Sequence, residues 1–167
     1  MVPKLKTFIE EHIDLIEQKR WQALYSYATA EIPFQIGNLS YNLLQAGINP
    51  LEDLNRVLPE MFCNAMDLHE IEIPSNVTKI MRQAFMNCYY MTKIKIPKSV
   101  TSIDDTAFSG CYDLADIQYE GTTTQFLNEI KPTAKMFADV KTGIIECSDA
   151  KILVDFDGTI KILEESR

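Results

Sequence analysis

The residues with the clearest potential for chemistry lie near the end of the chain, in the stretch VDFDGT at residues 154–159. Two aspartates two positions apart, directly after an apolar run, are typical of aspartate-based phosphoryl transfer. This stretch therefore raises the question of a phosphatase.

The elements around this stretch favour a different interpretation. The stretch resembles the first motif of the haloacid-dehalogenase-type phosphotransferases. The resemblance implies that Asp155 would be the nucleophile, that Asp157 would be a general acid or base, and that a magnesium ion would bind beside them. The other catalytic groups of that family come from later strands of a doubly wound sheet. Only eight residues follow Thr159, which are too few for a crossover to a parallel strand. Asp-Gly between two alternating apolar runs is a strong hairpin signal. We predict a turn here and keep a magnesium-dependent phosphatase only as an alternative.

Other residue types that carry chemistry are few and widely spaced. The two histidines, His12 and His69, have no cysteine partner and no carboxylate at catalytic spacing. A zinc site needs closely spaced thiolate and imidazole ligands, and the cysteines form no CxxC pair. We therefore predict no catalytic residue, no metal and no cofactor. We expect free thiols at all four cysteines, Cys63, Cys88, Cys111 and Cys147.

Composition limits the classes of partner. The chain has 167 residues, 46% of them apolar and 24% charged, with a formal net charge of -8. It has no basic block for phosphate contacts, so we expect no nucleic-acid binding. It has no apolar run near the roughly 20 residues that span a bilayer, so we expect no membrane segment. Charges in every turn of residues 1–20 exclude a signal peptide, and a cytoplasmic location is predicted.

An internal repeat organises the middle of the chain. Residues 68–90 and 91–113 align without gaps as LHEIEIPSNVTKIMRQAFMNCYY and MTKIKIPKSVTSIDDTAFSGCYD. Ten of the 23 aligned positions are identical, against the one or two that average residue usage would give. The pattern continues with decay into residues 48–67 and 114–120. In the first of these, the positions of Ile71, Val77, Ile80, Ala84, Phe85 and Cys88 are taken by Ile48, Leu54, Val57, Met61, Phe62 and Ala65. A period of this length indicates a solenoid.

Each repeat combines a strand, a return leg and a short helical turn. EIEI and KIKI alternate charged and apolar residues, which is typical of a strand with one buried face. Pro74 and Pro97 end these strands because proline cannot donate to a ladder. Stacked repeats would bury one continuous core. Its predicted members are Ile71, Ile73, Val77, Ile80, Phe85, Cys88, Ile94, Ile96, Val100, Ile103, Phe108 and Cys111.

The solvent face of the predicted strands carries the candidate binding residues. The alignment places Glu70, Lys93 and Asp116 in one column and Glu72, Lys95 and Gln118 in the next. Neighbouring strands lie roughly 4.8 Å apart, so these charges alternate in sign down the sheet. Two interpretations stay open. The charges either neutralise one another or form a polar surface that recognises a protein.

The flanks differ from the repeats. Apolar residues at helical spacing predict helix over residues 5–30, begun by a capping box of Thr7 and Glu10, and a further helix that ends at Gly47. These helices either cover the first repeat or dock a partner. After Gly121 we expect helix and loop. Three short strands should follow, at Ile144–Cys147, Lys151–Phe156 and Thr159–Leu163.

These observations predict an α+β fold. Its centre is a short leucine-rich-repeat solenoid with 23-residue repeats and parallel strands, between an N-terminal helical cap and a C-terminal β-meander. The predicted boundaries are 1–47 for the cap, 48–120 for the repeats (48–67 degenerate, 68–90, 91–113, 114–120 partial) and 121–167 for the closing segment.

The repeat resembles a known family. The pattern L-xx-I-x-IP-xx-V-xx-I-xxx-AF-xx-C is similar to the BspA-type (Treponema pallidum-type) leucine-rich repeat, and the helical opening with AGINPLEDL is similar to short phage-associated members. The resemblance implies a curved solenoid that contacts other proteins and has no catalytic activity of its own. It implies no particular partner.

The predicted function is therefore non-enzymatic binding of another protein, through the sheet face, the helical cap or both. One alternative is a phage-encoded inhibitor of a host defence or nucleic-acid-binding protein, for which an acidic chain is suited. A stack this short leaves strand edges open, so self-association is a further prediction.

Overall fold

The computed structural model describes residues 3–32, 35–50, 57–58 and 61–165. Four helices open the described part: α1 (Pro3–Glu11), α2 (Ile13–Glu17), α3 (Trp21–Glu31) and α4 (Ile36–Gln45). The strands that follow are β1 (Val57–Leu58), β2 (Glu70–Glu72), β3 (Lys79–Ile80), β4 (Lys93–Ile96), β5 (Ser102–Ile103), β6 (Asp116–Tyr119), β7 (Ile144–Glu146), β8 (Ala150–Val154) and β9 (Ile160–Glu165). None of the helices in these ranges is long and apolar enough to span a membrane.

The N-terminal helices bury a core of their own. The predicted helix over residues 5–30 is divided, because the chain leaves helical geometry at His12 and adopts a left-handed backbone at Lys19, with φ 54°. The predicted capping box is wrong: α1 already begins at Pro3, so Thr7 lies inside the helix. Proline is favoured in the first turn, where its missing N–H costs nothing. The buried members of this core are Leu5, Phe8, Leu15, Ile16, Trp21, Leu24, Ala28, Ile32, Leu39 and Leu43.

The strands form two sheets. One has the order β2-β4-β6-β7-β8-β9. Its neighbouring strands pair in parallel from β2 to β7 and antiparallel from β7 to β9. The other is a parallel sheet with the order β1-β3-β5. Each of the two repeats at residues 68–90 and 91–113 therefore gives one strand to each sheet. The predicted meander is fused to the repeat strands, because β7 pairs with β6.

The degenerate copy predicted at residues 48–67 is only partly within the described residues, and Leu54 lies outside them. The prediction that Val57 occupies the position of Ile80 is wrong, because Leu58 is the residue opposite Ile80. The physical reason is a missing residue after β1: Phe62 follows Leu58 by four positions, whereas Phe85 follows Ile80 by five. The ring of Phe62 nevertheless stacks on that of Phe85, with centroids 5.5 Å apart.

A column of phenylalanine rings fills the space between the sheets. Phe62, Phe85, Phe108 and Phe137 stack in that order, with successive centroid distances of 5.5, 5.8 and 6.2 Å. All twelve positions predicted as repeat core are buried. Phe137 lies outside the repeats and closes the column, a role that the sequence analysis did not assign to it.

The cysteine column lies beside the rings. The Sγ of Cys88 donates to the carbonyl oxygen of Phe62 at 3.0 Å, and the Sγ of Cys111 donates to that of Phe85 at 3.1 Å. The neighbouring Cys111 thiol and burial raise the pKa of Cys88 far above its ordinary value, so the side chain stays a thiol. Among the described residues, the four cysteines form no disulfide.

A third column forms the turns that follow the phenylalanines. Asn64, Asn87 and Gly110 all have left-handed backbones, with φ of 59°, 61° and 76°. The Nδ2 of Asn87 donates to the Oδ1 of Asn64 at 2.9 Å. At the end of the column, the backbone N–H of Gly110 and the hydroxyl of Ser109 both donate to Asp139, at 3.0 and 2.9 Å. Asp139 thus satisfies the backbone of the last repeat turn.

Helix α4 packs against the first described repeat turn. A Cβ at Gly37 would meet the backbone of Cys63 and Ala65, so only glycine allows this close approach. The buried hydroxyl of Ser40 donates to the carbonyl oxygen of Met61 and lies 2.7 Å from the hydroxyl oxygen of Tyr25. Helices α3 and α4 are therefore anchored to the repeats by backbone contact as well as by apolar packing.

Candidate interaction surface

The stretch VDFDGT forms the predicted turn, between β8 and β9. The backbone N–H of Asp155 donates to the carbonyl oxygen of Thr159 at 2.8 Å, and Gly158 has a left-handed φ of 84°. Hydrogen bonds from the Thr159 side chain and backbone lower the pKa of Asp157, so this carboxyl is ionised at neutral pH and is poorly suited to act as a general acid. Asp155 forms an ion pair with Lys161 at 3.6 Å. Asp155 and Asp157 therefore both have structural contacts within the hairpin.

The six candidate binding residues share the solvent face of the six-stranded sheet. The register pairs Glu70 with Lys93 and Lys93 with Asp116, and it pairs Glu72 with Lys95 and Lys95 with Gln118. The predicted columns are therefore present. This surface, which we call the sheet face, comprises Glu70, Glu72, Lys93, Lys95, Asp116 and Gln118 together with their neighbours in the same rows.

Ion pairs link the strands across the sheet face. The Nζ of Lys95 lies 2.9 Å from Glu72 and 3.1 Å from Glu120, and the Nζ of Lys93 lies 3.3 Å from Asp116. Hydrogen bonds from Lys95 to Glu72 and then to Glu120 raise the pKa of Lys95, so it stays charged. The side chain of Lys95 is still 36% exposed. These charges are paired with one another but open to solvent.

The row that contains Lys95 continues across all six strands. Gln118 pairs with Glu146, Glu146 with Lys151, and Lys151 with Glu164. An ion pair of 3.8 Å joins Lys151 to Glu146. We call the part of this row formed by Glu72, Lys95, Gln118, Glu146 and Lys151 the charged row. Sequence reasoning missed its second half because the repeat register is lost after residue 120.

The sheet face is concave at its centre. An open groove of about 430 Å³ lies there. It is lined by Glu70, Ile71, Glu72, Lys93, Lys95 and Gln118. The groove thus brings together five of the six predicted residues, while Asp116 lies beside it in contact with Lys93. Five of its six lining residues are charged or polar, which fits a polar side chain or backbone of a partner better than an apolar ligand.

Exposed tyrosines border the sheet face. Tyr89 and Tyr112 stack in parallel with ring centroids 6.0 Å apart, and Tyr112 is 59% exposed. Tyr90 is 55% exposed and lies against His69, next to the start of β2. Met66 occupies the position of Tyr89 one repeat earlier and is 43% exposed. We call these four residues, Met66, Tyr89, Tyr90 and Tyr112, the tyrosine ridge.

Sequence reasoning did not assign the tyrosine ridge to a site. The available signal was the identity of Tyr89 and Tyr112 in both repeats, at a position that the core pattern does not require. Large exposed aromatics are enriched at protein interfaces, because they bury a large area at little cost in side-chain entropy. The ridge and the sheet face together therefore give a charged surface with an aromatic border.

A comparison with family models agrees with the repeat pattern. The family model described as "BspA type Leucine rich repeat region (6 copies)" matches residues 55–134. The crystal structure of a leucine rich cell surface protein from Faecalibacterium prausnitzii A2-165 is similar to this chain at 35% sequence identity and a TM-score of 0.44. That match covers 47% of this chain and 21% of the other, so the chain spans about a fifth of that protein. No curated protein matches the chain.

Proposed function

We propose that this chain, whose residues 55–134 belong to the BspA-type leucine-rich repeats, is a non-enzymatic module that binds another protein through its sheet face. Leucine-rich repeats typically mediate protein–protein interaction, and repeat stacks present extended surfaces for this purpose. We propose that residues 48–120 form a short solenoid with 23-residue repeats, and that residues 1–47 and 121–167 cover its two ends.

The observation that carries this proposal is the charged row. Mutual neutralisation needs only isolated ion pairs, whereas this row extends over five strands, and its four charged residues alternate in sign on either side of the neutral Gln118. Its two lysine side chains are partly exposed. A row of fixed charges with alternating sign favours a partner that carries the complementary order. Such complementarity sets specificity and register more than raw affinity.

The binding mechanism follows from the two parts of the surface. The tyrosine ridge supplies exposed aromatic area, from which the dominant contacts of an interface usually come. The charged row fixes the orientation of the partner. Because the strands are held by continuous ladders and by a buried core, the surface is preformed and little backbone rearrangement is needed.

The sheet face also favours one class of partner. Its acidic side chains outnumber its basic ones, with Glu70, Glu72, Asp116, Glu120 and Glu146 against Lys93, Lys95 and Lys151. A basic partner surface is therefore preferred, such as the nucleic-acid-binding surface of a host protein. This keeps the phage-encoded inhibitor as the second candidate function, for which binding should weaken strongly with salt. Four cysteines that form no disulfide are what a reducing compartment such as the cytoplasm would give, which supports the proposed cytoplasmic location.

Affinity capture with the tagged full chain tests the proposed surface. The test variant is Lys93→Glu/Lys95→Glu, and the matched control is Lys4→Glu/Lys6→Glu on α1, which changes the net charge by the same amount. We expect the captured protein to be lost with the sheet-face variant and kept with the control. Although the sheet-face variant adds negative charge, it removes the alternation of sign that the partner would match. Thermal unfolding and circular dichroism establish that both variants are folded.

Two outcomes would contradict the proposal. Capture that is unchanged by the sheet-face variant would leave the charges with a structural role alone. Capture that is lost only with the Lys4 and Lys6 variant would move the binding surface to the N-terminal helices. Repeating the capture at raised salt then tests the inhibitor candidate, because a basic partner should dissociate first.

A further inference from the structure

A second cluster of polar side chains lies among the N-terminal helices. Glu11 is the last residue of α1, His12 joins α1 to α2, and Glu31 is the last residue of α3. One ligand atom from each of these three residues lies within 4.8 Å of the others. Packing of α3 against the α1–α2 corner therefore brings an imidazole and two carboxylates to one point.

The imidazole of His12 is held in a defined orientation. Its Nδ1 lies 3.0 Å from the carbonyl oxygen of Phe8, and because a carbonyl oxygen only accepts, Nδ1 carries the proton that is donated. The ring stacks on Phe8 at a centroid distance of 4.3 Å and lies 5.0 Å from the ring of Tyr27. Nε2 is thereby directed at the carboxylates. Metal-ligating histidines are held in the same way, with the second nitrogen donating to a carbonyl or carboxylate.

The spacing of the donor atoms fits a shared cation. The Nε2 of His12 lies 3.6 Å from the Oε1 of Glu31, which is too long for a hydrogen bond. Two ligands on a tetrahedral zinc ion, with bonds of about 2.0–2.1 Å, lie about 3.3 Å apart. A small adjustment of exposed side chains closes this difference, because Glu11 and Glu31 are both exposed.

The electrostatics of the cluster also favour a cation. Two carboxyl side chains lie at the C-terminal ends of α1 and α3, where the helix dipoles add negative partial charge. The single imidazole is the only basic group in this set of three. A divalent cation would therefore be attracted to this point.

We propose that Glu11, His12 and Glu31 form a binding site for a divalent transition-metal cation, with Zn²⁺ as the best fit to one nitrogen and two oxygen ligands. The remaining coordination position faces solvent, because both carboxylates are exposed. The bound ion would join the α1–α2 corner to the end of α3. Because it would bind only the folded arrangement, it would stabilise the N-terminal helices.

Calorimetric titration of zinc chloride into the full chain tests this site. The measurements use a Cys63→Ser background, since the Cys63 thiol is partly exposed and is itself a potential zinc ligand. The test variants are His12→Gln and Glu31→Gln. The control is Glu10→Gln, which removes an exposed carboxylate of the same helix that pairs with Lys6 at 3.8 Å. We expect one equivalent of zinc to bind, at least about tenfold more weakly in either test variant and unchanged in the control.

Thermal unfolding gives the second readout. Zinc should raise the melting temperature of the parent and of the Glu10 control, and the rise should be smaller in both test variants. If His12→Gln is poorly folded, Glu11→Gln and Glu31→Gln carry the test alone, because both alter exposed side chains. Absence of stoichiometric binding, or equal binding in the parent and the Glu31 variant, would overturn the proposal and leave an imidazolium–carboxylate ion pair.

Discussion

Replacement of Phe85 by alanine tests the ring column that joins the repeats. The Phe85 side chain is fully buried, and its ring lies between those of Phe62 and Phe108, at 5.5 and 5.8 Å. Truncation of a buried phenylalanine to alanine costs about 3–5 kcal/mol, because it removes apolar contacts and leaves a cavity. Since both ring contacts are lost, we expect the free energy of unfolding to fall by about 4 kcal/mol.

Urea denaturation followed by circular dichroism measures this loss. A chain of this size shifts its melting temperature by about 2–4 °C per kcal/mol, so a fall of about 8–16 °C is expected in a thermal scan. The matched control is Phe156→Ala at the tip of the C-terminal hairpin, where the same side chain is 78% exposed. The control should change the free energy of unfolding by no more than about 0.5 kcal/mol.

One result would refute the reasoning behind this prediction. If Phe85→Ala loses less than about 1 kcal/mol, or no more than Phe156→Ala, the rings do not act as one continuous packed column. The stacked-repeat account of the core would then be wrong. A loss in the expected range supports it, because only a fully enclosed ring can cost that much.

Three further predictions concern single positions. Gly110→Ala should lower the urea midpoint, with a loss of about 1–3 kcal/mol, because the new Cβ would lie 2.5 Å from the Oδ1 of Asn87 in a left-handed turn; an unchanged midpoint would contradict this. Hydrogen bonds from the Thr123 backbone N–H and hydroxyl lower the pKa of Asp149. The ionised Asp149 carboxylate therefore stabilises the fold at pH values above its unfolded-state pKa of about 3.9, and this stabilisation is lost as pH falls through the lower folded-state pKa. Asp149→Asn should therefore be less stable than the parent at pH 7. A difference in stability that stays the same at lower pH would contradict this. Ile162→Lys should abolish self-association through the β9 edge, where Ile162 is 63% exposed; sedimentation that gives only monomer for the parent at high concentration would exclude such pairing.

The repeat core was predictable because its physical cause is periodic. Ile94 and Ile96 repeat Ile71 and Ile73 at the same spacing and alternate with charged residues, so local pattern alone indicates which face is buried. The same periodicity placed Lys93 opposite Glu70. A prediction of this kind needs no knowledge of the tertiary fold, since each repeat contacts its neighbours in the same way.

The features that sequence reasoning missed depend on contacts without a period. Asp139 accepts hydrogen bonds from Gly110, 29 residues away, and no repeated pattern marks it as an acceptor. His12 meets Glu31 only because α3 folds back onto the α1–α2 corner. The register error at Val57 arose because the degenerate repeat lacks one residue after β1, and the local sequence does not show where that residue is missing. In all three cases the contact is set by tertiary packing and not by a repeated sequence pattern.

The most direct test of the charged row is the affinity of the captured partner for the exchange variant Glu72→Lys/Lys95→Glu. The exchange keeps the net charge and an ion pair between positions 72 and 95 but inverts the order of charges that a partner meets. It also removes the pair of Lys95 with Glu120 at 3.1 Å, which is exposed and contributes no more than about 1 kcal/mol. If the row is a recognition surface, the partner should bind roughly tenfold more weakly or worse while the melting temperature stays close to that of the parent. Equal affinity in the exchange variant and the parent would contradict the account, because neutralisation would then be the only role of these charges.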